Sequence, residues 1–316
     1  MIPTVPSRSS AALAWLLSHT ARPVADRADV HGRDIRMVRR TFDTLAPPLP
    51  RGTRVRRQTI GGVPAVRLDP RGIDPSAGML IYLHGGGYVF GSSRSHGGAA
   101  ARLGAQTGLP VLLPEYRLAP EHPYPAAFDD ALAVYRAVLE SATPASHIAI
   151  AGDSAGGHLT AALLATLANS GLPQPAAAYL ISPVIDWTCR SMFDRDARSR
   201  DPFLSPAYAL RSGNAYLAGT APTDPAIDVL AADKSTWPPT LIQVGGTEAL
   251  RDEVTRMANS FPASHPCTFE IWPGQVHVFP ALSPLIPEAR QALRRAAHFI
   301  RTTIDHPQSQ SHQQAG

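Results

Sequence analysis

The chain has 316 residues, enough to bury a full core, and at this length an α/β fold commonly forms one core with a lid. Its charge of +4 reflects 29 Lys+Arg against 25 Asp+Glu, and the arginines crowd between Arg33 and Arg57 with few interleaved aromatics, a pattern that argues for a solvated surface and against a nucleic-acid partner. Two cysteines, Cys189 and Cys267, exclude a disulfide framework and lack metal-ligand spacing, and no run approaches the roughly 18 apolar residues that span a bilayer. In chain order, the apolar stretch from Ala11 to Leu17 follows two prolines and a single arginine, a poor match to a secretory signal, so a soluble cytoplasmic protein with no membrane contact is expected.

Residues 9–19 and about 24–43 carry helical periodicity, which Ala46-Pro47-Pro48-Leu49-Pro50 terminates. Residues 1–50 are therefore expected to form the N-terminal helical part of a cap. A first part of the core follows at 51–185, with predicted strands at 55–60, 63–68, 79–83, 111–116, 148–151 and 179–185. Gly61-Gly62 makes a hairpin of the first two. Helical patterns at about 95–108, 126–140 and 155–169 separate later ones. In the last of these, Leu159, Ala162, Leu163, Thr166 and Leu167 share one face. Residues 186–230 break the alternation with charge and proline and read as a cap insertion. The core resumes at 231–305, with strands at 241–244 and 268–272 and helices at about 251–261 and 287–303, and the tail 306–316 is expected to be disordered. The sum is an α/β chain with an eight-stranded, mostly parallel sheet covered by helices on both faces.

Chemistry is concentrated in two glycine-rich segments. Gly152-Asp153-Ser154-Ala155-Gly156 is a weak signal alone, but it lies between a strand pattern and a helix pattern, the context that puts a serine on a sharp, exposed elbow. His84-Gly85-Gly86-Gly87 follows a buried-type strand, 70 positions earlier, and offers backbone N–H groups where an acyl transfer develops an oxyanion. Gly85, Gly86 and Ala155 are the expected oxyanion donors. The nearby Gly86–Gly91 spacing approximates a phosphate loop but is followed by Ser92 where the lysine should be. Of the histidines after Ser154, His277 follows the last strand on a loop at the carboxyl edge of the sheet and is the expected base. The acid is expected just after the seventh strand, where Glu248 stands first and Asp252 and Glu253 fall in or near the next helix; Glu248 is preferred and Asp252 is the alternative. Asp153 reads as structural.

These segments, with Glu115-Tyr116-Arg117-Leu118-Ala119-Pro120-Glu121-His122-Pro123, Ser182-Pro183, Asp186 and Leu250-Arg251-Asp252, resemble the hormone-sensitive-lipase-like family of α/β-hydrolase carboxylesterases over about residues 55–300. The resemblance implies a serine carboxylesterase acting on small esters with short acyl chains, no metal or cofactor, a lid built from the N-terminal helices and the insertion, and a homodimer through the eighth strand and last helix. It departs at the acid, where the family usually has aspartate and this chain has Glu248. An amidase or deacetylase acting on aryl amides with the same triad is the alternative activity. A ligand-binding protein on a dead hydrolase scaffold is disfavoured because His277 is present.

Overall fold

A computed structural model of the protein describes residues 2–141 and 143–305; the tail 306–316, expected to be disordered, lies outside them. Three helices open the chain: α1 (Arg8–His19), α2 (Ala21–Arg27) and α3 (Gly32–Leu45). The expected single helix over 24–43 is thus two, because Asp29 accepts the Val30 N–H and its own N–H donates to Asp34, a turn chemistry that competes with the helix. There follow β1 (Arg54–Ile60), β2 (Val63–Asp69), β3 (Met79–Leu83), α4 (Ser93–Thr107), β4 (Val111–Pro114), α5 (Ala126–Glu140), β5 (Ile148–Asp153), α6 (Ala155–Ser170) and β6 (Ala177–Ile181). The segment between β6 and the next strand carries α7 (Arg190–Arg198) and α8 (Pro206–Leu217). The chain closes with β7 (Thr240–Gly245), α9 (Arg251–Asn259), β8 (Cys267–Trp272) and α10 (Pro287–Asp305).

The eight strands form one sheet in the order β1-β2-β4-β3-β5-β6-β7-β8. β1 pairs antiparallel with β2 and β2 with β4; every pairing from β4 to β8 is parallel. β3, β5, β6 and β7 are buried along their whole lengths, so both faces must be apolar and their sequences read as continuous hydrophobic runs. Alternation still sorts the side chains: Ile81 and Leu83 enter the core layer under α5 and α6, whereas Leu80 and Tyr82 enter the layer under α4 and α10 with Leu103, Leu293 and Ile300. β1 is an edge strand, and its exposed Arg54, Arg56 and Arg57 discourage further strand pairing.

β6 lies at Ala177–Ile181 rather than 179–185. Ser182 adopts a φ of 44°, which turns the chain out of the sheet, so the apolar run that continues to Ile185 packs as loop. The two helical segments outside the sheet meet directly. Arg22 on α2 forks onto Asp196 of α7 at 2.9 and 2.7 Å, Arg200 reaches Asp26, and Arg211 of α8 donates to the carbonyls of Ala25 and Asp26.

Candidate active site

β5 ends at Asp153 and α6 begins at Ala155, so Ser154 is the whole turn between them. Its φ of 53° and ψ of −119° are strained for a residue with a side chain, and the turn holds because the Ser154 N–H donates to the Ile181 carbonyl at 2.8 Å while its own carbonyl accepts from Val184 and His158. The elbow also explains a glycine. A Cβ on Gly156 would stand 2.1 Å from the Leu83 carbonyl oxygen and 2.4 Å from that of His84.

Three loops at the carboxyl ends of the strands converge on this serine. His277, five residues beyond β8, places Nε2 2.9 Å from Ser154 Oγ and Nδ1 2.7 Å from Glu248 Oε2. With the ring proton on Nδ1 donated to Glu248, Nε2 is an acceptor for the serine hydroxyl. Glu248 is fully buried in the loop between β7 and α9, and its Oε1 accepts from the Gly245 N–H at 2.5 Å and the Ser182 hydroxyl at 2.6 Å. Burial works against a charged imidazole, but the adjacent Glu248 carboxylate outweighs it, and the His277 pKa lies above its ordinary value of 6.5. Ser154 and His277 are only 8% and 6% exposed, and the Phe203 ring lies 6.5 Å from the imidazole. Among the aromatics of the 186–230 segment, Trp187 instead packs on Tyr88 and Tyr216, and Phe193 faces solvent.

Asp252, the alternative acid, is turned away: it pairs with Arg198 at 2.8 Å and Arg195 at 3.2 Å on the outside of α9. Glu253 is buried but holds the Ile185 N–H and the Ser191 hydroxyl. His158 bonds Tyr88 and the Ile227 carbonyl, and His265 the Trp237 carbonyl, so neither is near the serine.

One expected donor is misplaced. Gly85 spends its N–H on Asp153 Oδ1 at 3.0 Å and so has none to offer an oxyanion. The loop turns immediately after it, through Gly86 at φ 116° and Gly87 at φ 61°, and a Cβ on Gly86 would collide with the Phe90 carbonyl at 2.2 Å. Neither the Gly86 nor the Gly87 N–H has a hydrogen-bond acceptor among the described residues, and Ala155 stands at the first position of α6, where helix N–H groups lack internal partners. The amide pair of the loop is therefore Gly86 and Gly87, one residue later than the spacing suggests.

Asp153 itself does more than fill space. Its Oδ1 also accepts the Tyr82 hydroxyl at 2.9 Å and its Oδ2 lies 3.4 Å from His96 Nε2, while Tyr116 donates to the His84 carbonyl at 2.6 Å. This buried network holds the glycine loop against the elbow. Ser182, whose hydroxyl orients Glu248 and accepts from the Val278 N–H at 3.2 Å, is a further site residue that its sequence position did not assign.

A family model described as alpha/beta hydrolase fold matches residues 80–281, and the elbow, the glycine loop and the Ser154–His277–Glu248 line all lie within that span. An acetyl-hydrolase of Streptomyces hygroscopicus is 42% identical over 224 residues, covering 71% of this chain and 75% of that protein. A putative acetyl-hydrolase, LipR, of Mycobacterium tuberculosis is 34% identical over 293 residues, 92% of this chain and 94% of its own length. The crystal structure of an esterase from the bacterial hormone-sensitive lipase family superposes with a TM-score of 0.86 at 32% identity, covering 95% of this chain and 100% of that one. The chain belongs to the hormone-sensitive-lipase-like α/β-hydrolases. As its relatives indicate, this hydrolase is a carboxylic ester hydrolase, and the elbow, loop and histidine occupy the strand ends where an open α/β sheet presents its chemistry. No helix among the hydrolase's described residues is long and apolar enough to cross a membrane.

Proposed function

We propose that the protein is a serine carboxylesterase for small esters with short acyl chains. Ser154 Oγ attacks the acyl carbon as its proton passes to His277 Nε2; the tetrahedral intermediate collapses, the alcohol leaves with that proton, and an acyl-enzyme remains. Water then attacks the acyl carbon by the same route and regenerates the serine. Glu248 holds the Nδ1–H tautomer and stabilises the imidazolium. The N–H groups of Gly86, Gly87 and Ala155 receive the oxyanion, each of a kind worth about 10² to 10³ in rate.

The single observation that carries this reading is the continuous line Ser154 Oγ–His277–Glu248 at 2.9 and 2.7 Å inside a buried site. The acetyl-hydrolase names of two relatives, and the bulky Phe203 ring 6.5 Å from the His277 imidazole, support the preference for small acyl groups. The N-terminal helices and the 186–230 segment act together as the cap. The test is a series of p-nitrophenyl esters from acetate to laurate, with p-nitroacetanilide as the matched amide. The reading expects kcat/KM to be highest at short chains and the anilide to be hydrolysed far more slowly. A preference for laurate refutes the acyl-chain assignment, and anilide turnover at the ester rate refutes the ester assignment.

A further inference from the structure

Two cap side chains close on the peptide bond between Glu248 and Ala249. The carboxylate of Asp201 is fully buried; one oxygen accepts the Ala249 N–H at 2.8 Å, and the other accepts the N–H groups of Phe203 and Leu204 at 2.8 and 2.9 Å. Arg195 is 7% exposed and donates Nε to the Glu248 carbonyl at 2.6 Å and Nη2 to the Gly246 carbonyl at 3.0 Å. Arg22 brings α2 to the same place, donating to the Asp201 carbonyl at 2.7 Å. The loop that carries the triad acid is thus gripped at Gly246, Glu248 and Ala249 by residues of the cap.

Glutamate has one more rotatable bond than aspartate between backbone and carboxylate, so keeping its oxygen on an imidazole asks more of the backbone beneath it. Resting on the triad reading above, we propose that Asp201 is a positioning residue: with Arg195 it fixes the Glu248–Ala249 backbone so that Glu248 stays in line with His277, and it places a second buried carboxylate against the loop that carries the first. The charged groups facing His277 are Glu248 from the loop after β7, Asp201 from the cap and Asp153 from the end of β5; those around Asp201 are Glu248, His277 and Arg195, together with the Arg22–Asp196 ion pair that bonds its backbone carbonyl and N–H. Burial raises the Asp201 carboxyl to about 6, so above that pH it is ionised and favours protonation of His277. The cap therefore reaches the chemistry through the acid loop.

The test compares Asp201→Asn with Glu253→Gln, a buried carboxyl that also anchors the cap but does not touch the acid loop's Glu248. Asp201→Asn is expected to lower kcat on p-nitrophenyl acetate about 10- to 100-fold with KM held within about twofold, and to move the acid limb of kcat/KM to lower pH by roughly half a unit. Glu253→Gln is expected to lower Tm without moving that limb. An Asp201→Asn enzyme whose limb stays in place, with kcat reduced only in proportion to lost folded protein, overturns the proposal. Should Asp201→Asn fail to fold, Arg195→Lys decides: kcat down about tenfold at constant KM supports the clamp, and unchanged kcat overturns it. Ser154→Ala run alongside separates the two claims. If it keeps turnover, the triad reading itself fails; if it is inactive while Asp201→Asn behaves as wild type, only the positioning role fails.

Discussion

Glu248→Gln isolates the role of the triad acid because the substitution preserves shape. The glutamine carbonyl can take over the bonds that Oε1 now accepts, from the Gly245 N–H at 2.5 Å and the Ser182 hydroxyl at 2.6 Å. That choice puts the amide NH₂ where Oε2 now faces His277 Nδ1 at 2.7 Å. An NH₂ there donates, so Nδ1 must be the bare nitrogen and the ring proton moves to Nε2, pointing at Ser154, where it cannot accept the hydroxyl proton. The corresponding tautomer error in a Ser-His-Asp protease costs about 10⁴ in kcat, equivalent to roughly 5.5 kcal/mol. A loss of about 10³ to 10⁴ in kcat is expected here, with little change in KM. Asp252→Asn is the control, since its carboxylate is 35% exposed and pairs most closely with the exposed Arg198, a pair worth at most about 1 kcal/mol, while its longer contact to Arg195 at 3.2 Å leaves the Arg195 bonds to the Gly246 and Glu248 carbonyls in place. It should cost less than about tenfold. Initial rates on p-nitrophenyl acetate, with a thermal melt of each variant to confirm folding, decide the matter. A larger loss in Asp252→Asn than in Glu248→Gln refutes the assignment of the acid.

The pH dependence of the wild type follows from His277. Its pKa is raised above 6.5, so kcat/KM should fall as pH drops through that higher value, where imidazolium can no longer accept the serine proton; a limb well below 6.5 contradicts this. The Asp153–His96 pair gives a stability prediction with a definite window. Burial opposes both charges, but each partner overcomes it for the other, lowering Asp153 below 3.8 and raising His96 above 6.5. The Asp153 contribution is present above 3.8 and lost as pH falls through its folded value; the His96 contribution is complete below 6.5 and lost as pH rises through its folded value. Urea unfolding of wild type and His96→Gln should therefore differ most between 3.8 and 6.5 and converge at higher pH, whereas a gap that widens with pH refutes the pairing. Gly86→Ala, which would drive a Cβ to 2.2 Å from the Phe90 carbonyl, should lose at least about 10² in kcat as the glycine loop shifts. Activity near wild type would show that Gly86 does not shape that loop.

Much of the fold, and the three residues that the structure brings into one hydrogen-bonded line, are legible in the sequence because each rests on a local rule. Strand, sharp turn and helix around Ser154, and a histidine just beyond the last strand, leave their marks in consecutive residues. Glu248 is preferred because it stands in the loop three residues after β7, while Asp252 lies within the first turn of a helix. The spacing places the free amides of the glycine loop one residue early because amide direction is set by the φ reversal at Gly86 and Gly87 and by the Asp153 side chain, 68 positions away from Gly85. The end of β6 was overshot for a related reason: Val184 and Ile185 are as apolar and buried as a strand residue, but the positive φ at Ser182 has already redirected the chain. Asp201 and Arg195 lie in a segment whose charge and proline mark it as an insertion without assigning a role to any one residue. Their partners in the loop after β7 lie 48 and 53 positions further along the chain, and only the folded 186–230 segment turns those charges inward.

The central claim is that the hydroxyl of Ser154 is the nucleophile. Incubation with a serine-directed fluorophosphonate, followed by mass spectrometry of the intact chain and its peptides, tests it most directly. The account predicts one adduct per chain, located on Ser154, formed in step with loss of esterase activity and absent from Ser154→Ala. Labelling at another residue, or a Ser154→Ala protein that still turns over p-nitrophenyl acetate, would contradict it.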